Sequence, residues 1–199
     1  MNSTIHSNPL KKQVYILPGY LATPKDHWFP WLAEKIQSTG ATVKTIEFTH
    51  PEQPTLEQWQ TDLKQQIQHL DAHSIVIAHS LGCVSSLVYL SKALKDQKLH
   101  GLICVAGFYE KLSALPQLNE YIQQTHFDDG LLRTHIQQRY VFFSNNDGLV
   151  PAPLSIRFGQ MLNAQMAEVK QAGHFMGQDG YTQFPQLWER VESLLKSMA

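Results

Sequence analysis

Ser74-Ile75-Val76-Ile77-Ala78-His79-Ser80-Leu81-Gly82 is the stretch on which the fold turns. Ser74 to Ala78 is an apolar run without polar alternation, the mark of a strand covered on both faces, as in parallel sheets. A helical pattern follows from Gly82 to Leu94. Between them sits Ser80, with Ala78 two residues before it and Gly82 two after. A strand that turns sharply into a helix with serine at the corner is the setting of a nucleophile elbow, written G-x-S-x-G. The corner strains the serine backbone and presses the strand end against the helix start, so both flanking positions must be small. Gly82 meets that demand, and Ala78 departs from it by one methyl group. A serine at a helix start also fits an N-cap. The two roles are compatible, because a helix N-terminus favours negative charge.

Outward from the elbow, short β-branched runs alternate with longer helical ones. Val14 to Leu17 reads as a first strand, closed by Pro18-Gly19. Trp28 to Thr39 reads as a helix with Gly40 just past its end. Thr42 to Phe48 alternates as a second strand. Thr55 opens a helix to Leu70, with Gln58 spaced for a capping box. Leu102 to Ala106 is a fourth strand, Tyr140 to Phe143 a fifth and Met166 to Lys170 a weaker sixth. Helices over Ala152 to Leu162 and Phe184 to Lys196 flank that sixth strand. The alternation predicts an α/β fold: a mainly parallel six-stranded sheet with helices on both faces. Residues 108–139 are irregular, either a small cap over a site or a long crossover.

The 199 residues carry 16 Lys and Arg against 17 Asp and Glu, mixed along the chain, for a formal net charge of -1. Without a basic block or an acidic tail, nothing points to nucleic acid or to an anionic membrane surface. A hydrophobic share of 43% with 17% charged residues is globular usage and excludes a disordered or fibrous chain. Two cysteines, Cys83 and Cys104, make no disulfide framework and read as buried, reduced thiols. No run approaches the ~20 apolar residues of a membrane helix. The expectation is a flexible lead-in over residues 1–12 and one domain over 13–199, in a cytoplasmic protein.

A serine hydroxyl near neutral pH needs a base beside it. In elbow folds the partners follow in the order serine, carboxylate, histidine. Of Asp96, Asp128, Asp129, Asp147 and Asp179, only Asp147 lies just past a clear strand end, where open α/β sheets hold functional groups. Of His100, His126, His135 and His174, only His174 follows the last strand and precedes the last helix. His79 adjoins Ser80 but reads as a packed or supporting side chain, since strand neighbours face opposite sides. Oxyanion donors are expected at the N–H of Leu81 and, in the loop after the first strand, at that of Tyr20. Pro18 has no N–H, and Gly19 permits close approach. The ten histidines show no metal-ligand spacing such as H-E-x-x-H, so no metal is expected.

Taken together, these residues resemble the small serine hydrolases of the retinoblastoma-binding protein 9 / YdeN-like family. The likeness runs from Val14 to the C-terminus, through Pro18-Gly19-Tyr20, His27-Trp28-Phe29-Pro30-Trp31-Leu32, Ala78-His79-Ser80-Leu81-Gly82-Cys83, Val105-Ala106-Gly107-Phe108, Asp147 with Val150-Pro151, and Gly173-His174-Phe175. Alanine at position 78 looks normal for that family. The resemblance implies a compact α/β-hydrolase fold, a triad of Ser80, Asp147 and His174, and no cofactor. The animal relatives bind a tumour-suppressor pocket through L-x-C-x-E. The strings around Cys83 and Cys104 lack that glutamate, so no protein partner follows. The expected substrate is a small-molecule ester or acyl compound, with Trp28, Phe108 and Phe175 as candidate pocket walls. Two alternatives stand: a hydrolase-fold binding or scaffold protein with little turnover, and acyl transfer to an acceptor other than water.

Overall fold

The computed structural model describes residues 12–198. The expected lead-in lies outside them except for Lys12. That residue is not loose: its ammonium donates to the Leu195 carbonyl at 2.7 Å and its own carbonyl accepts from Thr42 N–H at 2.9 Å. Six strands follow, β1 (Gln13–Leu17), β2 (Thr42–Thr45), β3 (Ser74–His79), β4 (Leu99–Val105), β5 (Ile136–Ser144) and β6 (Gln165–Val169). They form one sheet in the order β2-β1-β3-β4-β5-β6, with every neighbouring pair parallel. The helices are α1 (Phe29–Ser38), α2 (Leu56–Gln66), α3 (Leu81–Ala93), α4 (Asn119–Gln123), α5 (Asp129–His135), α6 (Ala152–Met161) and α7 (Pro185–Ser197).

Alternate strand residues feed two cores. Val14, Ile16, Ile75, Ile77, Ile103 and Val105 pack with α1 and α7. Tyr15, Leu17, Val76, Ala78, Leu102 and Cys104 pack with α2, α3, α5 and α6. Strands β3 and β4 are buried along their whole length. At about 1.5–3 kcal/mol for each fully buried aliphatic side chain, the centre of the sheet is its rigid part, and the elbow hangs from it. The chain goes from β1 to β2 on one side and returns to β3 on the other. This leaves a crevice at the carboxyl ends of β1 and β3, where open α/β sheets bind ligands.

Several boundaries differ from the sequence reading, among them the start of β4, at Leu99 rather than Leu102. Strand β2 stops at Thr45, although burial of Ile46 and Phe48 continues the alternation. Phe48 is no longer paired in the sheet but stacks on Trp59 at 3.9 Å. Helix α2 stops at Gln66, because Ile67 turns extended and the Tyr15 hydroxyl takes the His69 carbonyl at 2.8 Å. Of the irregular residues 108–139, the last four open β5, which begins at Ile136, and the rest form a crossover that is itself part of the core, through Leu112, Leu118, Tyr121, Ile122 and Leu132. No helix among the described residues is long and apolar enough to cross a membrane.

Candidate active site

Ser80 follows β3 directly and has φ 53° and ψ -123°. A non-glycine residue in that region costs about 1–3 kcal/mol and persists only where neighbours hold it. Here they do. Ser80 N–H donates to the Val105 carbonyl at 2.9 Å. A Cβ on Gly82 would lie 2.4 Å from the Pro18 carbonyl oxygen, and one on Gly19 would lie 2.8 Å from Ser80 Cβ. The loop closing β1 therefore sets the smallness demanded at the elbow. Ser80 occupies the N-cap position of α3 but makes no side-chain cap. Its hydroxyl is engaged elsewhere.

Ser80 Oγ lies 2.9 Å from His174 Nε2, and His174 Nδ1 lies 2.7 Å from Asp147 Oδ2. A carboxylate only accepts, so Nδ1 carries the proton and Nε2 is left free to accept from the serine. All three side chains are buried, which strengthens each electrostatic contact relative to water. The other carboxylate oxygen, Asp147 Oδ1, accepts the N–H groups of Leu149 and Val150 at 2.9 Å each. These bonds fix the carboxylate before it meets the imidazole. Serine, histidine and aspartate come from the ends of β3, β6 and β5 in turn.

Several supporting residues were not singled out by sequence. Ser144 Oγ accepts from Ala172 N–H, Asn145 Oδ1 from Gln171 N–H and Asn146 Oδ1 from Gly173 N–H, at 3.1, 3.0 and 2.9 Å. Ser144-Asn145-Asn146 thus stitches the aspartate loop to the histidine loop. The one available signal was that these small polar residues directly precede Asp147. Asp179, weighed above as a triad carboxylate, instead braces the histidine loop from outside, as described below. Burial pushes His79 well below the ordinary histidine range, with further lowering from His174 nearby. Burial also lowers His27. Both rings are thereby favoured in the neutral form.

A cleft of about 350 Å³ opens over Ser80 and His174. Its walls are Tyr20, Leu21, Leu115, Leu149, Met176 and Gln178, with His27 and His79 behind. Leu21 is 62% exposed at the rim. No Lys, Arg, Asp or Glu among the described residues lines it. The expected walls Trp28, Phe108 and Phe175 are not there: all three are fully buried core. Trp28 packs edge-on to Phe29 and Phe184, Phe175 stacks on Phe184, and Phe108 sits in the opposite core. Large rings bury more area inside than a shallow cleft can cover. The cleft takes residues of the loops instead, such as Tyr20, Leu115 and Leu149, and these have no periodic pattern to betray them.

Leu81 begins α3, next to Ser80. In the facing loop, Leu21 N–H is committed to the Pro51 carbonyl at 2.9 Å and Ala22 N–H to the Gly19 carbonyl at 3.2 Å. Tyr20 N–H has no intramolecular partner among the described residues. Leu81 thus adjoins the serine in sequence, and Tyr20 lines the same cleft as Ser80. The whole arrangement can hold a hydroxyl, take its proton and offer donors to an oxyanion.

Comparison with known proteins identifies the family and the fold. The sequence model of one protein family, described as Serine hydrolase, matches residues 14–193. The YdeN protein of Bacillus subtilis (strain 168) is 34% identical over 184 residues, covering 92% of this chain and 96% of that one. The crystal structure of the B. subtilis ydeN gene product superposes with a TM-score of 0.89 at 33% identity, covering 94% of this chain and 100% of that one. Est1E from Butyrivibrio proteoclasticus shares the fold, with a TM-score of 0.65 at 14% identity, covering 96% and 88% of the two chains.

Proposed function

The chain belongs to the serine hydrolase family, and from that premise we propose that it cleaves small, uncharged esters with apolar acyl groups through an acyl-enzyme on Ser80. The observation that carries this reading is the unbroken buried series from Ser80 through His174 to Asp147, at 2.9 and 2.7 Å. As Ser80 Oγ bonds to the ester carbon, His174 Nε2 takes its proton and Asp147 stabilises the imidazolium. The N–H groups of Leu81 and Tyr20 hold the oxyanion; in comparable sites one such donor is worth about 3–4 kcal/mol. The leaving alcohol departs with the proton from His174. A water then gives its proton to the same nitrogen, attacks the acyl carbon and returns the enzyme with a free carboxylic acid.

The cleft supports the substrate class. Its walls of leucine, methionine and tyrosine favour apolar groups, and a charged acyl chain would find no counter-ion there. The test is fluorophosphonate labelling together with p-nitrophenyl acetate turnover. Both are expected in the wild-type chain, and both are expected to vanish in Ser80→Ala. Labelling that survives this substitution moves the nucleophile elsewhere. A folded wild-type chain that neither labels nor turns over favours the binding-protein alternative.

A further inference from the structure

The stretch His27-Trp28-Phe29 takes no part in the steps above, yet its three rings converge on one residue. The His79 ring lies 5.7 Å from His27, 6.0 Å from Trp28 and 5.9 Å from Phe29, each edge to face. It lies 5.0 Å from the ring of His174. His79 Nε2 is 2.8 Å from the His174 carbonyl oxygen. A carbonyl cannot donate, so Nε2 carries the proton of the neutral ring. Nδ1 has no partner among the described residues. The hydrogen bond to His174 is the ring's single polar contact there.

The opposite end of the same residue is also held. His174 N–H donates to Asp179 Oδ2 at 2.9 Å, and Met176 N–H donates to the same oxygen at 3.0 Å. The loop needs such restraint, since Gly173 and Phe175, on either side of His174, have φ of 54° and 58°. His27 adds a strap, its Nδ1 accepting from Gly177 N–H at 3.0 Å. Asp147 fixes one atom of the imidazole, but the main chain decides where the ring pivots.

We propose that His79 and Asp179 are positioning residues that clamp the main chain of His174, one at its carbonyl and one at its N–H, with His27-Trp28-Phe29 as the cage that aims His79. The clamp rests on the reading of Ser80 and His174 given above. Misplacing a reacting group by about 1 Å costs on the order of 10²-fold in rate, which sets the size of the effect.

The test compares His79→Phe with His79→Gln and Asp179→Leu with Asp179→Asn. It reads kcat and KM for p-nitrophenyl acetate, thermal midpoint, and the downfield NMR signal of the His174 Nδ1–H proton. Glutamine restores an N–H near the position of Nε2. Asparagine keeps one oxygen able to accept both loop N–H groups. The phenylalanine and leucine variants are expected to lose on the order of 10²-fold in kcat with KM little changed and the NMR signal broadened. Glutamine and asparagine are expected to recover most of the rate. Equal losses within each pair, or wild-type kcat in both disruptive variants, overturn the clamp. If His79→Phe does not fold, the Asp179 pair on its half-buried loop decides alone. Turnover that persists in Ser80→Ala is a separate failure: it removes the active-site reading, while the NMR signal in that variant still reports whether the clamp holds His174.

Discussion

Asp147 shows how much a single atom decides. Its Oδ1 is saturated by Leu149 and Val150 N–H, so only Oδ2 faces His174. In Asp147→Asn the amide oxygen stays on those two backbone groups and the NH2 turns to the imidazole. Nδ1 must then accept, the proton moves to Nε2, and Nε2 can no longer take the serine's proton. We expect kcat to fall on the order of 10⁴-fold, measured on p-nitrophenyl acetate, with the urea midpoint nearly unchanged. The meeting of Ser80, Asp147 and His174 was open to reading because each follows a strand in a fixed order. The same order sets Asp179 aside as the triad carboxylate, since it follows His174, but says nothing of what it does instead. Only the direction of its hydrogen bonds, toward main-chain N–H groups, marks it as a brace.

Among the elements, the apolar runs of β3 and β4 are legible because both of their faces are covered. Strand β2 misleads for the complementary reason: alternating burial at Ile46 and Phe48 persists after pairing ends, driven by the stack on Trp59. The crossover between β4 and β5 is the least legible, because Leu115 reaches the cleft from an irregular loop. Truncation at that residue should lengthen the acyl chain the site accepts. Leu115→Ala is expected to shift the preference of p-nitrophenyl esters upward by one or more methylenes, each worth about 0.8 kcal/mol, or roughly fourfold in kcat/KM. An unchanged chain-length profile would remove Leu115 from the acyl wall.

For the molecule as a whole, buried and half-buried histidines contribute to acid stability. His79, His27 and His100 all sit below the ordinary value of 6.5, chiefly through burial. Above that value the folded and unfolded chains are both neutral at these sites, and stability is complete. Below it the unfolded chain takes up protons that the folded chain refuses, so stability falls with pH, for His79 by up to about 1.4 kcal/mol per unit. Urea unfolding between about pH 7 and pH 5 should show this slope, and His79→Gln should flatten it. The sheet also has an uneven temperament. Gln165 to Glu168 in β6 are all exposed, and among the described residues β6 pairs only with β5, whereas β3, the strand leading into Ser80, is sealed in the interior. Marginal strands open at lower free energy than central ones. Dilute denaturant should therefore fray the rim first and unhook the general base. Turnover would vanish at urea concentrations where tryptophan fluorescence still reports an intact body, leaving a folded enzyme silenced from its selvage.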